Sequence, residues 1–224
     1  MNYAIIVAAG SGTRFGPDKS KIFMPLAGRP LIVHTLEQFE NCPIIDGIVL
    51  VLSEGGQNEF YTVDSSGISK LKAVVIGGDT RAASVRNGID ALDAWDADVI
   101  AVHDGARPLV TSDEIARTVD AATNTGAACL VAEVTDTIKT VDADRITGTV
   151  DRRTLRRAMT PQVFRADILK RAFESSVLGD DVTDECYLVE KLGVPITAVE
   201  GSARNIKITR ADDIEYAEIL FTRG

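Results

Sequence analysis

Residues Ala8-Ala9-Gly10-Ser11-Gly12-Thr13-Arg14-Phe15-Gly16 follow directly on an apolar run that starts at Tyr3, and Lys21 stands seven residues beyond Arg14. Glycines placed after a first strand let backbone N–H groups approach an anion closely. Two common phosphate loops fit this one badly. The dinucleotide fingerprint Gly-x-Gly-x-x-Gly is met at Gly10 and Gly12, but Phe15 holds the third position and Gly16 arrives one residue late. The Walker loop closes on Gly-Lys-Ser/Thr, which is missing here. The charges say more. Arg14 and Lys21 are fixed cations beside the loop. A triphosphate that loses pyrophosphate builds negative charge on its leaving oxygens, and such cations stabilise that transition state more than the ground state. The loop therefore suits transfer from a nucleoside triphosphate better than hydride transfer.

Further along stand Asp104, Arg107, the group Arg152, Arg153, Arg156 and Arg157, and Lys207. Asp104 closes an apolar run, and open parallel sheets bind their ligands at the carboxyl ends of strands. The only histidines are His34 and His103, too few to suggest acid–base chemistry. Cys42, Cys129 and Cys186 are far apart and lack metal-ligand spacing, as expected of core cysteines in a reducing cytoplasm. The formal net charge of −9 disfavours nucleic acid and anionic membranes as general partners. A phosphate site needs only a local basic cluster, because charges beyond about 8 Å are screened at physiological salt. No apolar run approaches the roughly 18 residues of a membrane span. The first apolar stretch has no Lys or Arg before it, so it is expected to be a buried strand and not a secretory signal.

The elements that must position these groups alternate. Apolar, β-branched runs at Ala4–Ala8, Ile48–Leu52, Ala73–Ile76, Val99–Val102, Ala127–Val134 and Ile196–Val199 predict strands buried on both faces. Helical stripes lie between them: Ile32, Leu36 and Phe39 after Pro30 at the first helical position; Val85, Ile89 and Leu92; Ile115 and Val119 behind a Thr111/Glu114 capping box; Ile214, Ala217 and Phe221. With right-handed crossovers this gives a Rossmann-like, mostly parallel twisted sheet with helices on both faces, in one domain spanning 1–224. Residues 133–151 break the pattern. They alternate, are rich in Thr, and predict a β-hairpin arm with no helix to cover it; a second subunit is its simplest partner.

Several segments appear in order: Ala8 to Gly16 with Lys21, Pro25-Leu26-Ala27-Gly28-Arg29-Pro30-Leu31, Gly77-Gly78-Asp79-Thr80-Arg81 with Ser84-Val85, Val102-His103-Asp104-Gly105-Ala106-Arg107-Pro108, Asp136-Thr137-Ile138-Lys139, Thr160-Pro161-Gln162 with Phe164, Thr183-Asp184-Glu185, and Asn205-Ile206-Lys207-Ile208-Thr209. The first two resemble the signature of sugar-nucleotide pyrophosphorylases and related nucleotidyltransferases. The whole set closely resembles the 2-C-methyl-D-erythritol 4-phosphate cytidylyltransferases of non-mevalonate isoprenoid synthesis, over essentially the full chain. Ile22 stands where that family usually has Gln, and the arginines after Arg152 are more basic than its pattern.

The resemblance implies a nucleotide-diphospho-sugar transferase-like fold, CTP and methylerythritol phosphate as substrates, and pyrophosphate as a product. It implies that Ala8, Ala9, Gly10 and Gly12 wrap the nucleotide, and that Arg14 and Lys21 bind its phosphates. Gly78, Asp79 and Ser84 would hold the cytosine. Asp104 would hold Mg²⁺ or the methylerythritol hydroxyls, with the cation bridging phosphate oxygens. Arg107, Thr183 and Lys207 would meet the second substrate. Thr137 and Arg152, on or just after the arm, would reach the neighbouring subunit's site in a homodimer. Arg14, Lys21, Arg152 and Lys207 form the expected catalytic set; Asp151 and Thr160 stand between site and structural roles. The attacking phosphate, with a second pKa of about 6, is mostly dianionic at neutral pH and requires no general base. Rival readings are a ribitol 5-phosphate cytidylyltransferase or a pyrophosphorylase using another triphosphate, an NAD-dependent oxidoreductase, and a non-catalytic nucleotide-binding regulator.

Overall fold

The computed structural model describes residues 1–10, 21–92, 96–176 and 182–222. Its strands are β1 (Asn2–Ala8), β2 (Pro25–Leu26), β3 (Arg29–Pro30), β4 (Gly47–Leu52), β5 (Leu71–Ile76), β6 (Val99–Asp104), β7 (Ala127–Glu133), β8 (Ile138–Asp142), β9 (Arg145–Val150), β10 (Arg156–Arg165) and β11 (Thr197–Glu200). Its helices are α1 (Leu31–Glu40), α2 (Glu54–Phe60), α3 (Arg81–Ala91), α4 (Ser112–Thr125), α5 (Ala166–Glu174), α6 (Glu185–Lys191) and α7 (Asp212–Thr222). None of the described helices is long and apolar enough to cross a membrane.

Seven strands form one sheet in the order β11-β7-β10-β6-β1-β4-β5. All neighbouring pairs are parallel except those made by β10, which runs antiparallel to both β6 and β7. Apolar side chains cover both faces. Ala4 and Ile6 of β1 join Ile32, Leu36 and Phe39 of α1 and Ile115 and Val119 of α4 on one face. Tyr3 and Ile5 join Val85 and Ile89 of α3, Leu169 and Phe173 of α5, and Leu188 of α6 on the other. This two-sided burial is why the central strands read as unbroken apolar runs. Cys42, Cys129 and Cys186 are free and buried, as expected of core cysteines.

Two expectations change in detail. Pro30 is the N-cap of α1, extended at φ −53° and ψ 134°, and not its first helical residue. It is held in a two-residue strand against Pro25, across a turn in which Ala27 and Gly28 have positive φ. Strand β10 is absent from the apolar runs because it opens on arginines and contains Pro161, which cannot donate to a ladder. Its register against β7 shifts between Ala158 and Gln162, and that irregularity takes up Pro161 after a cis Thr160–Pro161 peptide. The Thr111 capping box is present, with Glu114 returning to the Thr111 N–H. The hairpin is also present: β8 and β9 form their own two-stranded sheet, paired with none of the seven central strands.

The carboxyl ends of β1, β4, β5 and β6 meet at one edge, and β1 is the strand from which the chain turns outward in both directions. Two glycines let the loops at that edge close up. A Cβ on Gly77 would lie 2.4 Å from the Ala9 Cβ and 2.6 Å from the Ser84 Oγ; one on Gly105 would lie 2.8 Å from the Ala8 Cβ. Gly77→Ala is therefore expected to destabilise the fold by about 1–3 kcal/mol through overpacking. Gly55→Ala in α2, where a Cβ meets nothing within 4 Å, should be neutral or stabilise by about 0.5 kcal/mol. Urea unfolding of the two variants checks this; a Gly77→Ala midpoint equal to that of the parent would show that the loops do not need this approach.

Candidate active site

Ala8 is the last residue of β1, and Ala9 and Gly10 lead away from it with increasing exposure. Gly12 and Arg14 lie outside the described residues. Lys21 opens a short 3-10 turn, Lys21–Phe23, anchored by buried Ile22. Across the edge, Gly78 and Asp79 are exposed. Ser84 is buried in the first turn of α3; its hydroxyl accepts from the Gly78 N–H (3.1 Å) and donates to the Thr80 carbonyl (2.9 Å). That bonding fixes the Gly77–Gly78 turn. Thr80 caps α3 by accepting from the Ala83 N–H.

Beside the end of β1, Asp104 ends β6 at 6% exposure. Three cations hold it. Arg81 Nε lies 3.2 Å from Oδ1, while Lys207 Nζ lies 2.8 Å and Arg107 Nε 3.4 Å from Oδ2. Burial by itself would raise the Asp104 pKa; Arg81, Lys207 and Arg107 more than reverse this and hold the carboxyl well below the ordinary carboxylate range. Arg107 is steadied by a second bond, Nη1 to the Asn205 carbonyl at 2.8 Å. Arg81 is steadied by Glu185, whose Oε1 lies 2.6 Å from Nη1. Two carboxylates against three cations leave this pocket with excess positive charge, suited to an anionic ligand despite the acidic chain.

The sequence gives no hint of how β6 and β10 lock this pocket. The Asp104 N–H donates to Thr160 Oγ (3.1 Å), which lies 3.0 Å from His103 Nδ1; His103 Nε2 lies 3.2 Å from the Arg107 carbonyl. A carbonyl only accepts, so Nε2 carries the proton and Nδ1 takes the Thr160 hydroxyl hydrogen. Asn205 Nδ2 donates to the Thr160 carbonyl at 2.9 Å. Gln162 and Asp184 bond each other at 2.9 Å and cap the start of α6 through the Cys186 and Tyr187 N–H groups. Sequence reading places Arg81, His103, Gln162 and Glu185 in motif segments but assigns none of them to the site. Paired chemistry between residues about a hundred positions apart has no local signature.

The expected residues thus divide. Asp104, Arg107 and Lys207 converge directly, and Ala8, Ala9, Gly78 and Ser84 flank them at the same sheet edge. Thr183 is exposed two residues before Glu185. Thr137 and Arg152 do not join this cluster by any hydrogen bond or ion pair among the described residues. Arg152 donates instead to the Thr135 carbonyl at the base of the hairpin, and Asp151 pairs with Arg153.

The mixed sheet with one antiparallel strand carries a cationic pocket at its carboxyl edge, an α/β architecture with a site suited to an anionic ligand. The family model described as 2-C-methyl-D-erythritol 4-phosphate cytidylyltransferase matches residues 2–223, and the chain belongs to that family. Enzymes of that name from Geotalea uraniireducens and Geobacillus thermodenitrificans are each 40% identical to it. The alignments cover 96% and 98% of this chain and 94% and 97% of those proteins. Among solved structures, that of the Francisella tularensis enzyme superposes with a TM-score of 0.81 at 33% identity, covering 97% of this chain and 98% of the other. The 4-diphosphocytidyl-2C-methyl-D-erythritol synthase from Anaerococcus prevotii gives 0.84 at 26% identity, covering 100% and 96%.

His103 should stay neutral throughout the working range, because burial pushes its pKa down to about 3 against a weaker pull from Asp104. Imidazole ¹⁵N shifts are expected to show one Nε2–H tautomer from pH 8 to pH 5. A titration midpoint near the ordinary value of about 6.5 would overturn this arrangement.

Proposed function

We propose that this protein is a cytidylyltransferase that joins CTP and 2-C-methyl-D-erythritol 4-phosphate, releasing pyrophosphate, in non-mevalonate isoprenoid precursor synthesis. The observation that carries the reading is the cationic pocket around Asp104 beside the end of β1, in a chain matched by that family along almost its whole length. A phosphate oxygen of the second substrate forms a bond to the α-phosphorus of CTP, and the bond from that phosphorus to the bridging oxygen of pyrophosphate breaks. No proton need move. The protein's contribution is to align two anions and stabilise the charge that develops between them.

Lys21 and Arg14 serve the triphosphate, while Ala8, Ala9, Gly10 and Gly12 offer it backbone groups. Gly78 and Asp79 meet the base, held in place by Ser84. Arg107 and Lys207, with Thr183, receive the phosphate of the second substrate. Of the two roles open to Asp104, substrate hydroxyls suit it better than Mg²⁺. Both of its oxygens already face cations, and no group of three potential ligands gathers among the described residues. A divalent cation is then carried by the triphosphate oxygens, as Mg²⁺ commonly is with nucleotides. Incubation with CTP, Mg²⁺ and methylerythritol phosphate should release pyrophosphate. Preferred turnover of ribitol 5-phosphate, or of UTP or GTP, would replace this reading by a related transferase.

The arm supports a homodimer with shared sites. Val141 and Ile146 face each other across the hairpin and are 60% and 68% exposed, an apolar pair that a two-stranded ribbon cannot bury by itself. Arg152 and Thr137 would then serve the partner's site while Lys21 serves its own. Two dead variants, Lys21→Ala and Arg152→Ala, test this when co-expressed with different tags. In a mixed dimer one site collects both lesions and the other has neither, so random assortment should restore about a quarter of wild-type sites. An inactive purified heterodimer, beside an active wild-type control, would rule out shared sites.

A further inference from the structure

Arg81 stands at the first position of α3, straight after the Gly77–Thr80 turn, and Glu185 at the first position of α6, straight after Thr183 and Asp184. They meet over Asp104. Glu185 is wholly buried, and its Oε2 has no hydrogen-bond partner among the described residues. A buried carboxylate with an orphan oxygen is a poor stabilising device: its desolvation cost is met only in part, and apolar residues of similar size often serve a core as well or better. What the pair does supply is orientation. The guanidinium is a rigid plane with its donors in fixed directions. With Nη1 held 2.6 Å from Glu185 Oε1, Nε is aimed at Asp104 Oδ1 alone, 3.2 Å away. The other carboxylate oxygen stays with Lys207 and Arg107.

We propose that Arg81 and Glu185 are positioning residues for the proposed reaction: a buried brace that holds Arg81 to one oxygen of Asp104 and so fixes the carboxylate that receives the second substrate. Without Glu185, the guanidinium is free to take both Asp104 oxygens in a bidentate pair, the strongest geometry open to it, or to turn toward the triphosphate. Either outcome takes Asp104 from the substrate and from Lys207. The brace also ties the helix behind the base-binding turn to the helix behind Thr183, so it spans the two halves of the site. The inference rests on the reading of Asp104 as a substrate-facing group.

Arg81→Lys is the first test. Its single ammonium cannot hold both carboxylates in this geometry. It should lower kcat/KM for methylerythritol phosphate about tenfold or more while leaving KM for CTP within about twofold. The second test separates position from stability. Arg81→Met with Glu185→Leu replaces the pair by apolar side chains. It should recover the thermal midpoint lost in Arg81→Met alone and still show the same selective loss of kcat/KM. Third, in an Asp104→Asn background Arg81→Lys should add less than about twofold, because it acts through Asp104. Wild-type kcat/KM in folded Arg81→Lys or in the apolar pair overturns the brace, as does a fully additive loss in the Asp104→Asn background. If the apolar pair does not fold, Arg81→Lys and the Asp104→Asn cycle decide. An Asp104→Asn variant with unchanged kcat/KM removes the reading of Asp104, and the brace falls with it. An impaired Asp104→Asn beside a normal Arg81→Lys removes the brace alone.

Discussion

A carboxylate buried at the end of a strand stays ionised when cations or hydrogen-bond donors offset its desolvation, and the site is arranged about that constraint at Asp104. Two of its cations come from distant parts of the chain, Arg81 from the start of α3 and Lys207 from the segment before α7; the third, Arg107, stands three residues on in the turn after β6. Arg81 and Lys207 could not be placed by local structure. Each is brought in by a sheet whose carboxyl edge collects the loops, and each is then held by a second contact of its own or by the carboxylate itself. The acidic chain and the anionic substrates are reconciled in this way. Charge is concentrated where the site needs it, and screening removes most of the rest.

Strand β10 is the second organising feature. It runs against its neighbours, so its first half lies at the edge where β6 ends. It delivers Thr160 to the Asp104 N–H and Gln162 to the start of α6. His103, neutral and buried, links the Thr160 hydroxyl to the Arg107 carbonyl. An antiparallel strand in a parallel sheet thus connects the floor of the pocket to its wall. The same strand follows the exposed arm, so arm and pocket are joined through one stretch of backbone.

The active-site edge combines tight packing with groups left open to a ligand. Gly77 and Gly105 allow loops from different strands to come within contact distance. Ser84 commits its hydroxyl to the Gly77–Thr80 turn. Gly78, Asp79 and Gly10 remain exposed beside it. A rigid frame with open backbone groups is what a nucleotide requires, since binding then costs little ordering of the protein.

Much was determined by the sequence alone. Mostly apolar β-branched runs specify strands, and all six lie in the central sheet; the inner ones are buried on both faces, while the edge strands β5 and β11 are only partly buried. Periodic stripes specify α1, α3 and α4, the capping box specifies where α4 starts, and the alternating Thr-rich stretch specifies a hairpin. These are local signals, each written within one short stretch of chain, and the ordered motifs carry the family. The tertiary structure decided the rest. It alone shows β10 as a central strand despite its arginines and Pro161, Pro30 as a cap, and Ser84 as a brace for the glycine turn. It alone brings Arg81 and Glu185 to Asp104, 104 residues apart in the chain from each other. The physical reason is range. Secondary structure follows from neighbours whose side chains share a face, but an ion pair between distant residues exists only after the sheet has been assembled and water excluded from between them.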